Sequence, residues 1–276
     1  LVAQGKIYAV TAHSVANIRY EADYSSEMAT QVLMGTPLKV LEKKSYWYRV
    51  ITPEGYIAWV TVGSVKTMNE EEFTAWRGSD RVIVDTHYTL VRDTPNAKGA
   101  IISDAVWGNI AQVSSKKIVN GYQEILLPNG KIGYVPAKDI KPLQKWLDSR
   151  NPTPENIINT GKQFLGFPYL WAGTSIKGLD CSGFVKTSHF LNGIILRRDA
   201  SQQAKIGQEI DITNGIENLQ KGDILFFGRK ATADRPARVT HVGMYIGEGS
   251  FIHSATFVKI NNLVPGTPDY YDGHMV

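Results

Sequence analysis

The fold is decided at Leu179-Asp180-Cys181-Ser182-Gly183-Phe184-Val185, where a helix begins. Asp180 can cap the free N–H groups of the first turn, and Asn192-Gly193 is a stop signal. Upstream, Pro152-Thr153-Pro154 opens another helix, with Ile157, Ile158, Phe164 and Leu165 spaced for one apolar face. The Gly/Pro-rich segment 166–173 is a loop between the two. Past Lys221 strands dominate, at 224–227, 239–246 and 250–255. Helices first and antiparallel strands afterwards is an α+β order.

Toward the N-terminus the pattern becomes a repeat. Asn17-Ile18-Arg19 matches Leu90-Val91-Arg92, and Met34-Gly35 matches Trp107-Gly108, at an offset of 73. Gly55-Tyr56-Ile57-Ala58-Trp59-Val60 matches Gly130-Lys131-Ile132-Gly133-Tyr134-Val135 at an offset of 75, which Val65 and Ile140 keep. A two-residue insertion near Lys116-Lys117 accounts for the shift. In each copy, β-branched and aromatic runs alternate with turns such as Pro53-Glu54-Gly55 and Pro128-Asn129-Gly130, predicting a small all-β barrel. Between the copies, Asn69 caps a short helix with acids in its first turn. The expected layout is a first β domain at 1–67, a linker helix at 68–80, a second β domain at 81–143 and a catalytic domain at 144–276.

Length and composition bound the rest. A chain of 276 residues has room for two or three cores. With 43% hydrophobic and 20% charged residues it is neither disordered nor fibrous. No apolar run approaches the roughly 18 residues that a membrane-spanning helix needs. The net charge of +4 divides evenly, +2 on either side of Leu143, which sets nucleic-acid binding aside. The chain starts at Leu1 with neither a charged n-region nor an apolar h-region, so a removed signal segment or a trimmed chain is expected. A monomer is expected.

Cys181 is the only cysteine, so no internal disulfide forms and the thiol is either inert or reactive. At a helix N-terminus the backbone amides and the macrodipole favour an anion, which predicts a lowered thiol pKa. A nucleophilic thiolate needs a proton carrier, the usual role of histidine. His189 lies eight residues along the same helix, about 12 Å of axial rise away, and cannot serve. His13, His87 and His274 fall in the repeats or at the C-terminus. His241 and His253 remain. A hairpin turning at Gly247-Glu248-Gly249 places residue 253 opposite 243, one diagonal step from 241 and on the same face. One imidazole can then act as base and the other can orient it. Against this stands the bland reading, in which a lone cysteine is a buried small hydrophobe and a histidine is simply core or surface.

Pro168-Tyr169-Leu170-Trp171-Ala172-Gly173, the Cys181 stretch, Arg198-Asp199-Ala200-Ser201, Gly222-Asp223-Ile224-Leu225-Phe226-Phe227 and Thr240-His241-Val242-Gly243-Met244-Tyr245-Ile246 together resemble the NlpC/P60 cysteine peptidases. The β units resemble bacterial SH3 (SH3b) domains. The whole arrangement is similar to the γ-D-glutamyl-L-diamino acid endopeptidases, also called dipeptidyl-peptidase VI. The resemblance implies an α+β chain with a papain-like NlpC/P60 catalytic domain preceded by two small all-β SH3-like barrels. It implies Cys181 as nucleophile, His241 as general base and His253 as the member that orients it. Tyr169 would line the oxyanion site, and Trp171, Asp180, Ser182, Asp199 and Ser201 would hold substrate. In this subgroup the first SH3b unit closes the cleft, which assigns Tyr56 and either Glu27 or Glu21 to a free N-terminal amine. Implied partners are peptidoglycan-derived peptides, L-Ala-γ-D-Glu-diamino acid, with no metal and no organic cofactor. An envelope, periplasmic or secreted location is expected, with cytoplasmic recycling as the alternative.

Some features depart from the pattern or read more plainly. Ala172 stands where a second glycine is frequent, 228–239 is a long basic loop, and the chain stops at His274-Met275-Val276, where a closing strand would continue. Asp180 reads equally as a plain helix cap, and Trp171, Trp47 and Trp59 equally as packing residues. Rival functions are a non-catalytic wall-binding module and an acyltransferase or amidase using the same thioester.

Overall fold

The computed structural model describes residues 5–276. Leu1, on which the leader expectation rests, lies outside the described residues. The chain divides into two compact units, 1–150 and 151–276.

The first unit holds strands β1 (Tyr8–Thr11), β2 (Val15–Arg19), β3 (Met28–Leu33), β4 (Pro37–Lys44), β5 (Trp47–Ile51), β6 (Ile57–Thr61) and β7 (Val65–Met68), then helix α1 (Glu70–Gly78). There follow β8 (Arg81–Val84), β9 (Tyr88–Arg92), β10 (Ile101–Val106), β11 (Ile110–Val119), β12 (Tyr122–Leu126), β13 (Ile132–Pro136) and β14 (Ile140–Pro142), closed by helix α2 (Leu143–Asp148). The first seven strands form one sheet in the order β3-β2-β6-β5-β4-β1-β7, and the next seven repeat that order strand for strand. The repeat in the sequence is therefore a repeat of topology. Its matched glycines are the turn residues: Gly55 and Gly130 sit at φ +82° and +87°, where a Cβ is strained. The two-residue insertion lies in β11, ten residues long against eight in β4, with a register shift between Val113 and Ile118.

Within this unit the two sheets share a seam. Met34 belongs to the first sheet's β3–β4 turn, yet its side chain is 1% exposed in the second sheet's core, beside Val82, Val91 and Leu127. The Ile110 N–H donates to the Met34 carbonyl at 2.9 Å, and Asn109 Nδ2 to the Ser14 carbonyl at 2.8 Å. Helix α1 has a capping box between Asn69 and Glu72 and packs Phe73 and Trp76 onto Val10 and Met68. Residues 144–150, expected with the catalytic domain, fold into this first unit. Trp146 is 3% exposed and its Nε1 donates to Asp85 Oδ1, which also receives Trp107 Nε1.

The second unit holds α3 (Pro154–Lys162), the short strands β15 (Thr174–Ser175) and β16 (Gly178–Leu179), α4 (Cys181–Phe190), α5 (Ala200–Gln203) and the strands β17 (Ile224–Arg229), β18 (Arg238–Gly247), β19 (Ser250–Ala255) and β20 (Phe257–Asn262). Thr153 caps α3 and Pro154 occupies its first turn, as that position tolerates. The four long strands form an antiparallel sheet in sequence order, the α+β arrangement expected. Register in the β18–β19 hairpin follows the predicted pairing, with Met244 opposite Ile252 and Tyr245 opposite Phe251. Strand β20 was not expected; it pairs with the whole of β19. Phe164 from the turn after α3, Phe184 from α4, and Val242, Met244 and Ile252 from the sheet are fully buried. Near the C-terminus Met275 bridges to Phe227, adding a short pairing at the free edge of β17.

Candidate active site

Cys181 is the first residue of α4 and is 9% exposed. Asp180 caps that helix, its Oδ1 accepting the Gly183 N–H at 2.6 Å. Gly183 has no alternative, because a Cβ there would collide with the Gly173 carbonyl. The Asp180 carboxylate has a second duty. Arg198, 2% exposed, donates to Asp180 Oδ2 at 2.6 Å, to Oδ1 at 3.2 Å and to Ser182 Oγ at 2.8 Å. Gln203 Nε2 adds a bond to the Ser182 carbonyl at 3.2 Å. Asp180 and Ser182, assigned to substrate by resemblance, are thus 7% and 5% exposed and engaged by this buried ion pair. Arg198 was missed as a functional residue, since nothing in a linear sequence pairs it with a carboxylate 18 residues away.

The strand side presents the histidines. His241 lies on β18 and His253 on β19, with His241 Nε2 to His253 Nδ1 at 2.6 Å. His253 Nε2 meets Asn261 Oδ1 on β20 at 2.8 Å, and Asn261 Nδ2 donates to the Asp269 carbonyl at 2.8 Å. Asn261 was also missed. Continuing the hairpin arithmetic one strand further would have found it, because His253 pairs with Lys259 and Asn261 lies one diagonal step on. Tyr271 lays its ring against both imidazoles, with centroids 6.0 Å from His241 and 5.3 Å from His253. Opposite His253, Gly243 leaves room that a Cβ would take from Phe251 and His253.

The helix and strand sides meet at the sulfur. The N–H groups of Val242, next to His241, and of Ser182 hydrogen-bond to Cys181, and α4 packs on β18 and β19. Loop 166–171 is stitched to the turn between β19 and β20, with Tyr169 N–H donating to the Thr256 carbonyl at 2.8 Å. It also runs beside Leu179 through a Tyr169–Leu179 bridge, which fixes Tyr169 relative to the start of α4. Trp171 is 59% exposed, Ser201 is exposed on α5, and the Asp199 N–H donates to Gln202 Oε1 as α5 begins.

Electrostatics correct one expectation. Burial, reinforced by the Asp180 charge, pushes the Cys181 thiol up to about 11, outweighing the Val242 and Ser182 N–H groups and Arg198. The helix terminus does not lower this thiol, because desolvation inside the packed unit is the larger effect. Burial likewise pushes both histidines down to about 4, aided at His241 by His253 and Lys259. Asn261 opposes the fall at His253 and Lys259 adds to it. Burial, with Cys181 next, holds Tyr169 up to about 12, so its phenol stays a neutral donor. Near neutral pH the thiol and both imidazoles are therefore neutral.

The remaining expected residues lie in the first unit. Glu21 and Glu27 are exposed at the two ends of the β2–β3 connection. Tyr56, on the β5–β6 turn, meets Tyr20 hydroxyl to hydroxyl at 3.1 Å. His13 and His87 lie in that unit, and His189 is buried with Nδ1 at 2.8 Å from the Val185 carbonyl. Among the described residues no helix is long and apolar enough to cross a membrane.

Known proteins resemble this chain along most of its length. The NlpC/P60 family model matches residues 166–273, and the bacterial SH3 domain model matches residues 14–66. A gamma-D-glutamyl-L-lysine dipeptidyl-peptidase of Bacillus cereus is 34% identical over 257 residues, covering 90% of this chain and 74% of the relative. Dipeptidyl-peptidase 6 of Lysinibacillus sphaericus is 27% identical over 270 residues, covering 95% of this chain and 94% of its own. The crystal structure of an NlpC/P60 family protein from Bacillus cereus superposes with a TM-score of 0.77 at 28% identity, covering 96% of this chain and 98% of that one.

Proposed function

Because the chain belongs to the NlpC/P60 family, we propose that it is a cysteine endopeptidase hydrolysing the γ-D-glutamyl–diamino acid bond of peptidoglycan stem peptides with a free N-terminal L-Ala. The observation that carries the reading is Cys181 at the start of α4, with the Val242 N–H of the histidine strand on its sulfur and the hydrogen-bonded pair His241–His253 beside it.

His241 takes the thiol proton as sulfur attacks the scissile carbonyl carbon, so charge separates only as the bond forms. A thiol near 11 and an imidazole near 4 disfavour a standing ion pair. The Cys181 N–H at the helix N-terminus and the Tyr169 hydroxyl, a neutral phenol that feels the Cys181 charge, are the donors assigned to the developing oxyanion. The imidazolium then returns its proton to the leaving amine, and a thioester remains. Water, deprotonated by His241, resolves the thioester and regenerates the thiol.

The identical strand order supports a second SH3b domain after the one at 14–66. Tyr56 and one acid, Glu27 or Glu21, remain the groups assigned to the substrate amine by the resemblance; both acids are exposed, and Tyr56 meets Tyr20. A monomer acting in the cell envelope fits this substrate class.

The test is incubation with purified muropeptides, with free and with acetylated N-terminal alanine, read by mass spectrometry. Release of the L-Ala-γ-D-Glu dipeptide from the free form is expected, with acetylation raising KM or blocking cleavage. Intact free peptides would overturn the activity, and equal cleavage of both forms would overturn the amine assignment.

A further inference from the structure

We infer that Asn261 is a positioning residue that sets the tautomer of both site histidines, so that the general base presents a lone pair to the thiol. The inference rests on the peptidase reading for its consequence, and on the hydrogen-bond geometry of two neutral imidazoles for its content.

The hydrogen-bond chain is anchored at a group that cannot donate. The Asp269 backbone carbonyl only accepts, so the Asn261 amide must turn its Nδ2 toward it, at 2.8 Å. That carbonyl is itself held by the Asn262 N–H at 2.9 Å, and the Tyr271 N–H returns to the Asn262 carbonyl at 2.9 Å, so the C-terminal return is pinned on both sides of Asn262. Asn261 Oδ1 is thereby committed to face His253 Nε2, at 2.8 Å. An amide oxygen accepts, so a neutral His253 carries its proton on Nε2 and leaves a lone pair on Nδ1. At 2.6 Å that lone pair takes a hydrogen from His241 Nε2. A neutral His241 is then protonated on Nε2 and bare on Nδ1, its one remaining ring nitrogen and the one available to the thiol proton.

Any other orientation breaks a bond in the chain. If His253 were protonated on Nδ1, two situations would follow. Either His241 Nε2 becomes the acceptor and its proton moves to Nδ1, leaving no base for the thiol, or two N–H groups oppose each other at 2.6 Å. The imidazoles are held neutral mainly by burial, so tautomer rather than charge is what must be chosen. The other titratable groups around the pair are Lys259 on β20, Tyr271 on the C-terminal return and Cys181 on α4. None of them is bonded to a ring nitrogen in the chain.

The experiment is long-range 1H–15N correlation NMR on full-length protein labelled with 15N-histidine, near neutral pH, followed by kinetics of two variants. In the wild type both His241 and His253 are expected as Nε2–H tautomers; finding the proton of His253 on Nδ1 overturns the inference without any variant. Asn261→Leu should scramble the His253 tautomer and lower kcat at least ~10-fold with KM nearly unchanged, since a wrongly protonated base in a triad is severely costly. Asn261→Asp keeps an acceptor at the same reach. It should retain the wild-type tautomers and most of kcat, while moving the acid limb of kcat/KM upward because a carboxylate favours a charged His253. A folded Asn261→Leu protein with wild-type tautomers and kcat overturns the inference, as does Asn261→Asp with the scrambled spectrum. The slowing of Cys181 alkylation by iodoacetamide in Asn261→Leu reads the same base without peptide. If no muropeptide is cleaved but tautomers and alkylation behave as stated, the substrate reading fails and this one stands.

Discussion

The two sides of the candidate site are built from opposite materials. On the helix side a full charge is buried and paired: Asp180 and Arg198 bond each other, Ser182 and the first turn of α4, with almost no exposure. On the strand side the groups are neutral, joined nitrogen to nitrogen from His241 through His253 to Asn261. The difference teaches a division of labour. A buried ion pair is costly to break on one side, which suits a scaffold beneath the thiol. A neutral imidazole chain can gain and lose a proton, which suits a base. Replacing one side should therefore alter chemistry, and replacing the other should alter folding.

The sharpest break is at the atom the two sides share. Cys181→Ala should abolish turnover while thermal unfolding and circular dichroism stay at wild-type values, because a small-for-small change at a helix start costs little packing. Any retained hydrolysis would refute the thioester route. On the strand side, His241→Ala should lower kcat by about 10³ or more, the upper range for a positioned acid–base group. His253→Ala should cost distinctly less, because it orients the base rather than being it. The reverse ranking in steady-state kinetics would exchange their roles.

The helix side should respond in stability. Arg198→Leu leaves the Asp180 carboxylate buried without its cation, a change expected to cost about 3–5 kcal/mol in urea unfolding. A loss below ~1 kcal/mol would show that Asp180 is satisfied without Arg198. A further expectation concerns pH dependence. Both histidine pKa values lie near 4 in the folded chain and near 6.5 when unfolded, so the unfolded state binds more protons between those limits. The histidine contribution to stability is complete above pH 6.5 and drains away as pH falls toward 4. The acid limb of kcat/KM for the same reason lies below 6.5, and a limb at or above 6.5 would contradict the buried, neutral pair.

Much of the helix–strand difference was legible in the sequence, and the illegible part has a common cause. Cys181, His241 and His253 were readable because each lies within one element or one hairpin, where local periodicity dictates which face a side chain takes. The diagonal placement of the two histidines needed only a turn position, and the observed pairs Met244–Ile252 and Tyr245–Phe251 have that register. Arg198 was invisible because its partner caps another element, 18 residues away. Met34 shows the same blindness in the β units. Its match in the repeat is Trp107, and both precede a positive-φ glycine, at +79° and +89°. Yet Met34 fills the neighbouring sheet's core while Trp107 bonds Asp85.

The sequence alone determined the α+β order, the doubled β topology, the cysteine at a helix start and the two histidines on one hairpin face, since these follow from local backbone preference and strand alternation. Tertiary structure alone decided three things. It raised the Cys181 pKa where the helix terminus by itself would lower it, because desolvation depends on everything packed around the sulfur. It engaged Asp180 and Ser182 with Arg198. It set Asn261 against His253 through a carbonyl eight residues further on. Each of these is a balance between groups from separate elements, and such balances come into being only once the chain has closed around them.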